Sequence, residues 1–141
     1  MFLLLDNLMA TRGPALDESL SSSDHTVRLF LDELPRRVDE PWTLDTMAEA
    51  CGLRRTRFAT CCRRITNVPP VEYLIRCRVE AACEMLDKDP TMSVTDVAFR
   101  CGFQSSQYLC RTFRQRLCMT PGDFRSRETG KTRSRTSRTN R

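Results

Sequence analysis

The chain has 141 residues, of which 40% are hydrophobic and 29% charged, and its net charge is +5. This length and composition are typical of one soluble globular domain with tails, and they leave little room for a separate catalytic module. The most continuous apolar stretch, Phe2 to Leu5, is too short to span a bilayer, and no export signal is recognisable. We therefore expect neither a membrane protein nor a secreted one.

The first predicted elements come from the spacing of apolar residues. A short amphipathic helix is predicted near the start, and a polar linker rich in Asp and Ser follows at residues 17–24. The first core helix is predicted to begin near Asp24, with Pro35 limiting its last turn. Its apolar residues recur at intervals of three and four, and they are Val27, Phe30, Leu31, Leu34 and Val38. The residues that predict the short amphipathic helix are Leu3, Leu4, Leu5, Leu8 and Met9.

Between Leu44 and Arg125 the chain runs through the same pattern twice, with the copies fifty to fifty-one residues apart. Each copy predicts a short helix, a tight turn and a basic helix. An Ala-x-x-Cys-Gly group ends the short helix in both copies, at 48–52 and 98–102, and its glycine is free to take the left-handed turn. Thr43 and Ser93 are predicted to cap the two short helices.

The segment between the copies predicts one long helix over about residues 70–87. Pro70 stands at a favourable first helical position, and apolar residues follow at helical spacing up to Leu86. Pro121 is predicted to open a final short helix that ends near Arg125. Because no segment alternates with period two, the predicted fold class is all-α with about seven helices.

The basic residues are concentrated in three places. Residues 127–141 hold six basic residues and one acid, so the rest of the chain is neutral. Two windows, 50–71 and 97–122, contain no Asp or Glu, and each coincides with the second helix of one copy. Since a solvated helix face normally mixes charges of both signs, this pattern favours a polyanionic partner.

The cysteines do not favour a metal site or an enzyme. No pair forms a C-x-x-C group, the single histidine is distant in sequence, and no catalytic Cys/His constellation appears, so no metal, cofactor or catalytic residue is predicted. Cys51, Cys62, Cys77 and Cys101 fall at apolar helix positions and are predicted to be reduced core residues. The alternative hypothesis is a thiol-based redox-responsive regulator, with Cys61, Cys110 or Cys118 as the sensor.

The second copy carries a recognisable pattern. Its sequence V-A-F-R-C-G-F-Q-S-S-Q-Y-L-C-R-T-F-R-Q-R, followed by M-T-P-G-D-F-R, resembles the DNA-binding domain of the AraC/XylS family of bacterial transcription regulators. The first copy matches more loosely, because Arg54 stands where the family often has a capping serine and Cys62 where it usually has phenylalanine. Asn67 in the first copy and Cys118 in the second stand where each repeat commonly has glycine. The resemblance implies a domain at 25–126, with helix-turn-helix units at about 44–66 and 94–117 joined by the linker helix at about 70–87. Residues 1–24 are then an N-terminal segment, and 127–141 are a basic disordered tail.

The resemblance also implies the DNA-binding residues. Arg111 suits a bidentate bond to guanine and Gln107 suits adenine, whereas Thr56, Ala59 and Thr60 offer methyl contacts or single hydrogen bonds. We therefore expect more base recognition from the second copy. The residues implied to bind DNA are Arg55, Thr56, Ala59, Thr60 and Arg63 in the first copy, and Ser106, Gln107, Arg111 and Arg114 in the second.

The implied function is sequence-specific binding of double-stranded DNA by a transcription regulator, an activator, whose two recognition helices enter successive major grooves about 34 Å apart. RNA polymerase is the implied protein partner, and an upstream ligand-sensing domain or a homodimer is typical of the family. The resemblance implies a cytoplasmic, nucleoid-associated protein with no membrane partner.

Other side chains are predicted to have structural roles. Arg78, on the linker helix, is predicted to be an ion-pair partner rather than a DNA contact. Five large side chains of the repeats are predicted to lie in the core, and they are Phe58, Ile65, Tyr108, Phe113 and Leu117. Three methionines are predicted to be packing residues, and they are Met47, Met85 and Met92.

Overall fold

The computed structural model describes residues 14–127, with side chains from residue 22 onward. These residues form seven α-helices and no strand, which confirms the predicted all-α class. The amphipathic helix predicted at Leu3 to Met9 and the basic tail beyond Arg127 lie outside the described residues. The helices are α1 (Pro14–Glu33), α2 (Leu44–Ala50), α3 (Arg55–Thr66), α4 (Pro70–Lys88), α5 (Val94–Arg100), α6 (Ser106–Leu117) and α7 (residues 121–127), with a 3-10 turn at Leu34–Arg36.

Helix α1 begins at Pro14, so the predicted start near Asp24 was wrong and the predicted linker at residues 17–24 is helical. Proline is favourable in the first turn of a helix, which agrees with a helix that begins at Pro14. The serine-rich composition suggested a linker, but serine only weakly disfavours a helix that continues into a packed segment. At the other end, Pro35 lies in the 3-10 turn that follows α1, as its ring requires.

The chain divides into two compact units, each of which contains one copy of the repeat. Of the described residues, the first unit holds 14–33 together with Trp42–Glu72, and the second holds Leu34–Pro41 together with 73–127. Helices α1, α2 and α3 therefore belong to the first unit. Most of α4, with α5, α6 and α7, belongs to the second.

The core of the first unit forms where α1 and α2 pack against α3. Phe58 of α3 is fully buried, and the ring of Phe30 meets Phe58 and Trp42 edge-on, with centroids 5.8 and 5.2 Å apart. Burying one such side chain contributes about 2 to 3 kcal/mol. The other buried apolar residues of this unit include Val27, Leu31, Met47, Ala48, Cys51, Cys61 and Cys62.

The core of the second unit lies between α4, α5 and α6. Phe113 is fully buried and meets Phe124 edge-on at 5.9 Å, while Met85 and Met92 pack at the margin as predicted. Tyr108 was wrongly predicted to lie in this core: its side chain is exposed, and its ring rests against the buried Phe103 at 5.5 Å. The buried core residues are Val79, Ala82, Leu86, Val97, Ala98, Cys101, Phe103, Leu109 and Phe113.

Arg78 has a structural role, but not as the predicted ion-pair partner. Its Nε donates to the carbonyl oxygen of Val38 at 3.0 Å and its Nη2 to that of Glu40 at 2.8 Å. The guanidinium thereby satisfies two carbonyls of the segment Leu34–Pro41, which lies in the same unit. The sequence prediction assumed that Arg78 pairs with a carboxylate. The backbone carbonyls of an irregular segment need hydrogen-bond donors as well, and they are the partners that Arg78 meets.

The two glycine turns share one backbone pattern. Gly52 has a φ of 64° and Gly102 a φ of 84°, so both take the predicted left-handed conformation. The N–H of Leu53 bonds to the carbonyl of Ala48, and that of Phe103 bonds to the carbonyl of Ala98. The turns differ in their surroundings, because a Cβ at Gly102 would overlap the carbonyl oxygen of Val38 and lie 2.8 Å from Arg78 Nε, whereas a Cβ at Gly52 would meet nothing within 4 Å.

The described helices include none that is both long enough and apolar enough to cross a membrane.

Candidate nucleic-acid interface

The second helix of each repeat copy begins differently in the two units. At α6, the Ser105 hydroxyl accepts a hydrogen bond from the N–H of Tyr108 at 3.1 Å. At α3, Arg54 occupies the corresponding position and makes no side-chain cap. Since a serine cap stabilises a helix start by about 1 kcal/mol, α6 has the more firmly defined first turn.

The same two helices end alike. Asn67 after α3 and Cys118 after α6 both take the left-handed conformation, with φ of 63° and 56°, as their alignment with a family glycine implied. Each N–H bonds back to an arginine carbonyl four residues earlier, Arg63 and Arg114 respectively. The shared ending keeps both helices at twelve residues.

A shallow depression lies along the exposed side of α3. We call it the α3 surface, and it is lined by Thr56, Ala59, Thr60, Arg63 and Arg64. The Thr60 hydroxyl donates to the carbonyl oxygen of Thr56 at 2.9 Å, so its proton is already used within the helix. The α3 surface therefore offers two arginines but only short side chains in the middle of the helix.

A second depression lies along the exposed side of α6. We call it the α6 surface, and it is lined by Gln107, Cys110, Arg111, Arg114 and Gln115. These residues stand 51 positions after those of the α3 surface, one for one. The duplicated sequence thus produces two equivalent concave surfaces, one in each unit.

Seven of the nine predicted site residues line these two surfaces. The two exceptions, Arg55 and Ser106, are the first residues of α3 and α6 and do not line either depression. Sequence reasoning missed Arg64, Cys110 and Gln115. The repeat register leads from the predicted Ala59 to Cys110, whereas Gln115 follows only from Arg64, so closer use of that register would have found one of the three.

The positive charge of the first unit is partly neutralised. Arg64 forms a salt bridge with Asp24 of α1, and Arg55 lies 3.6 Å from Asp45 of α2. Arg57 donates through Nε to the hydroxyl of Ser23 at 3.1 Å. Burial acts to raise the pKa of Asp24, yet the hydrogen bond and the positive charge of Arg64 hold that pKa below its ordinary value. Arginines that look unopposed in the sequence therefore meet acids from neighbouring helices.

The positive charge of the second unit is more available. Within residues 22–127, no carboxylate lies within ion-pair distance of Arg111 or Arg114, and both side chains are exposed. Gln107 is also exposed, and its Oε1 lies 3.4 Å from the hydroxyl of Ser106. The α6 surface thus presents an amide and two guanidinium groups, which are the side chains best suited to base edges and phosphates.

All eight cysteines lie within the described residues and are unpaired. Cys51, Cys62, Cys77 and Cys101 are buried as predicted, and burial raises the pKa of Cys51 and of Cys101 to about 11. Cys61, one of the three proposed sensors, is only 2% exposed and burial raises its pKa, so its surroundings do not favour a reactive thiol. In the described part of the chain, no group of three or more His, Cys, Asp or Glu side chains is arranged to hold a metal.

Curated proteins similar to this chain are transcription regulators. The HTH-type transcriptional activator RhaS of Escherichia coli O139:H28 (strain E24377A / ETEC) is 30% identical over 128 residues, which are 91% of this chain and 46% of that protein. RhaS of Escherichia coli strain SE11 has the same identity and coverage. The chain spans about half the length of the curated relatives it matches.

Solved structures share the fold. The DNA-binding domain of AdpA, a global transcriptional factor crystallised in complex with a target DNA, aligns with a TM-score of 0.71 and 28% identity. That alignment covers 74% of this chain and 94% of the AdpA domain. A regulator from Chromobacterium violaceum, described as having an AraC-type DNA-binding domain, aligns with a TM-score of 0.68 at 20% identity, over 77% of this chain and 96% of that one.

The family assignment rests on the matched residues. A family model described as a helix-turn-helix domain matches residues 47–127, which include α3, α4, α5, α6 and both surfaces. The match covers more than half of the chain and agrees with the curated relatives and the shared fold. The chain belongs to the AraC/XylS family of DNA-binding transcription regulators.

Proposed function

We propose that the protein binds specific double-stranded DNA sites and activates transcription, with α3 and α6 each entering a major groove. The observation that carries this proposal is the pair of equivalent surfaces, which the same five register positions line in each unit. A basic helix with one exposed side fits the width and the negative charge of a major groove. Two such helices in one chain allow a single molecule to read two successive grooves of an asymmetric site.

The residues of each surface have separate roles in this proposal. Arg111 bonds to the O6 and N7 atoms of guanine, and Gln107 bonds to adenine, each adding about 1 to 3 kcal/mol of discrimination. Arg63 and Arg114 occupy equivalent register positions and contact phosphates, which position the protein without reading sequence. Four shorter side chains contribute methyl contacts or single hydrogen bonds, and they are Thr56, Ala59, Thr60 and Ser106. Arg55, the first residue of α3, is proposed to face the bases.

Activation is proposed because the similar RhaS proteins are named transcriptional activators. Recruitment of RNA polymerase is the proposed means, and the proposed site of action is the nucleoid in the bacterial cytoplasm. An upstream ligand-sensing domain or a homodimer partner is also proposed, because either is typical of the family. A promoter-reporter assay in cells with and without the protein tests activation, and reduced transcription on expression would contradict it.

DNA binding is tested by fluorescence anisotropy with promoter fragments from the source genome and with a random duplex of equal length. We expect at least one fragment to bind more tightly than the random duplex at every salt concentration. Arg63→Gln and Arg114→Gln should weaken binding to all duplexes and reduce the salt slope by about one each. Lys88→Gln, on α4 and outside both surfaces, is the matched control and should change little. Equal affinity of the wild type for every duplex would reject the proposal.

The thiol-based alternative is retained for Cys118, which is exposed, and for Cys110, which gives the more direct test. Cys110 lines the α6 surface beside Gln107 and Arg111. A bulky group on its sulfur would therefore prevent α6 from entering the major groove of DNA. The test compares DNA affinity before and after diamide or N-ethylmaleimide in the wild type and in Cys110→Ser. Loss of binding in the wild type alone would support this function, and unchanged wild-type affinity would reject it.

A further inference from the structure

One arginine of the α3 surface is already held by an acid from another helix. Arg64 lines the depression, and its Nη2 donates to the Oδ1 of Asp24 on α1 and to the sulfur of Cys61, the latter at 3.7 Å. The side chain of Arg64 remains 49% exposed, whereas that of Asp24 is 27% exposed. The carboxylate therefore lies beside a guanidinium that faces outward.

The equivalent position in the second unit has no charge. Gln115 stands 51 residues after Arg64 and lines the α6 surface in the same place. A second acid, Asp45, lies 3.6 Å from Arg55 at the start of α3, and both of those side chains are largely exposed. The first unit therefore has arginines at the edges of its recognition helix, together with acids that offset them.

We propose that Asp24 limits sequence-independent binding of DNA by neutralising Arg64 at the edge of the α3 surface. The proposal rests on the DNA-binding function proposed above. Binding to phosphates is driven by the release of condensed cations, and its strength follows the number of uncompensated positive charges at the interface. An arginine paired with a carboxylate adds almost nothing to that count, so a random duplex gains little from contact with this edge. Specific sites are less affected, because base contacts supply part of their affinity.

The test uses variants of the full chain that replace a charged side chain with a neutral amide, and a duplex of random sequence. Asp24→Asn removes the acid, Arg64→Gln installs the residue of the second copy, and the double variant replaces the ion pair with a neutral pair. Glu84→Gln is the matched control, because it also raises the net charge by one but removes the partner of Lys88 on α4, outside both surfaces. Far-UV circular dichroism checks that every variant is folded, and anisotropy titrations over a range of salt concentrations give the affinity and the salt slope.

Asp24→Asn should bind the random duplex roughly three- to tenfold more tightly at about 0.1 M salt, with a salt slope steeper by about one. Asp45→Asn should act in the same direction but less, since its pair is looser and more exposed. Arg64→Gln should weaken binding, and the double variant should bind like the wild type because the charge at this edge is again neutral.

Two results would overturn the proposal. If Asp24→Asn binds the random duplex no more tightly than Glu84→Gln does, Asp24 does not reduce the contribution of Arg64 to DNA binding. Alternatively, Asp24→Asn could bind the random duplex more weakly than the wild type, and the double variant could have the same affinity as Arg64→Gln. That result would show that Asp24 instead orients Arg64 for contact with DNA. These measurements use only random duplex, so they stand apart from the wild-type preference for promoter fragments that tests the proposed function.

Discussion

The two units have the same backbone plan but differ in the side chains on their exposed surfaces. Both end the short helix with the same left-handed glycine and end the basic helix with a left-handed residue. The α3 surface has short side chains and an arginine paired with Asp24, whereas the α6 surface has Gln107 and an unopposed Arg111. The comparison shows that the duplicated turns define the scaffold, while the five surface positions are free to diverge.

The largest expected effect is the loss of stability on substituting the glycine of each turn, which should differ between Gly52 and Gly102. Gly102→Ala should destabilise the protein by about 3 kcal/mol or more, because the new methyl group would overlap the Val38 carbonyl in addition to the strain of a left-handed alanine. Gly52→Ala should cost only about 1 to 2 kcal/mol, because the space around it is empty. Urea unfolding of both variants measures the difference, and equal losses would show that the close approach at Gly102 has no energetic consequence.

The next effect concerns base recognition. Gln107→Ala with Arg111→Ala should lose about 1 to 3 kcal/mol of discrimination for each base pair that the lost side chain contacts. Thr56→Ala with Thr60→Ala should lose less than about 1 kcal/mol, because both side chains are short and the Thr60 hydroxyl already donates within the helix. Anisotropy on a preferred duplex and its single-base variants compares the two pairs. Comparable losses from both would contradict the asymmetry.

A smaller effect is expected at the helix starts. Ser105→Ala should cost about 1 kcal/mol because it removes the cap of α6. Arg54→Ser should raise the stability by about 0.5 to 1 kcal/mol, because it supplies the cap that α3 lacks. Thermal unfolding of both variants should shift in opposite directions, and a lower midpoint for Arg54→Ser would mean that the arginine has an unrecognised structural role.

The smallest effect is expected at the helix ends. Cys118→Gly should stabilise the protein by about 0.5 kcal/mol, because cysteine tolerates a positive φ less well than glycine does. Asn67→Gly should change the stability little, since asparagine adopts the left-handed conformation more readily. A stabilisation at Asn67 that exceeds the one at Cys118 would contradict this ranking of strain.

Most of the fold followed from local sequence patterns. The repeat, the caps at Thr43 and Ser93 and the left-handed glycines all depend on residues close together in the chain, and the structure contains each of them. The start of α1 was predicted wrongly because a serine-rich segment is compatible with either a linker or a helix. Tyr108 was predicted wrongly because helical spacing places a residue on one side of a helix but does not say how much of that side the neighbouring helices cover.

The partners of charged side chains were the least predictable part of the site. Arg64 lies 40 residues from Asp24 in sequence, and Arg78 lies 38 and 40 residues from the carbonyls it binds. No local pattern links such residues, because packing of the helices brings them together. Charge windows in the sequence therefore indicated which helices are basic, but not which arginines are already paired.

The central claim is that both surfaces read DNA and that the α6 surface selects sequence more strongly. The most direct measurement is selection of binding sites from a randomised duplex library with the wild type and with the Gln107→Ala/Arg111→Ala variant. We predict two conserved half-sites about one helical turn apart, of which the better defined one becomes degenerate in the variant. Recovery of no common site, or loss of definition in the weaker half-site, would contradict the claim.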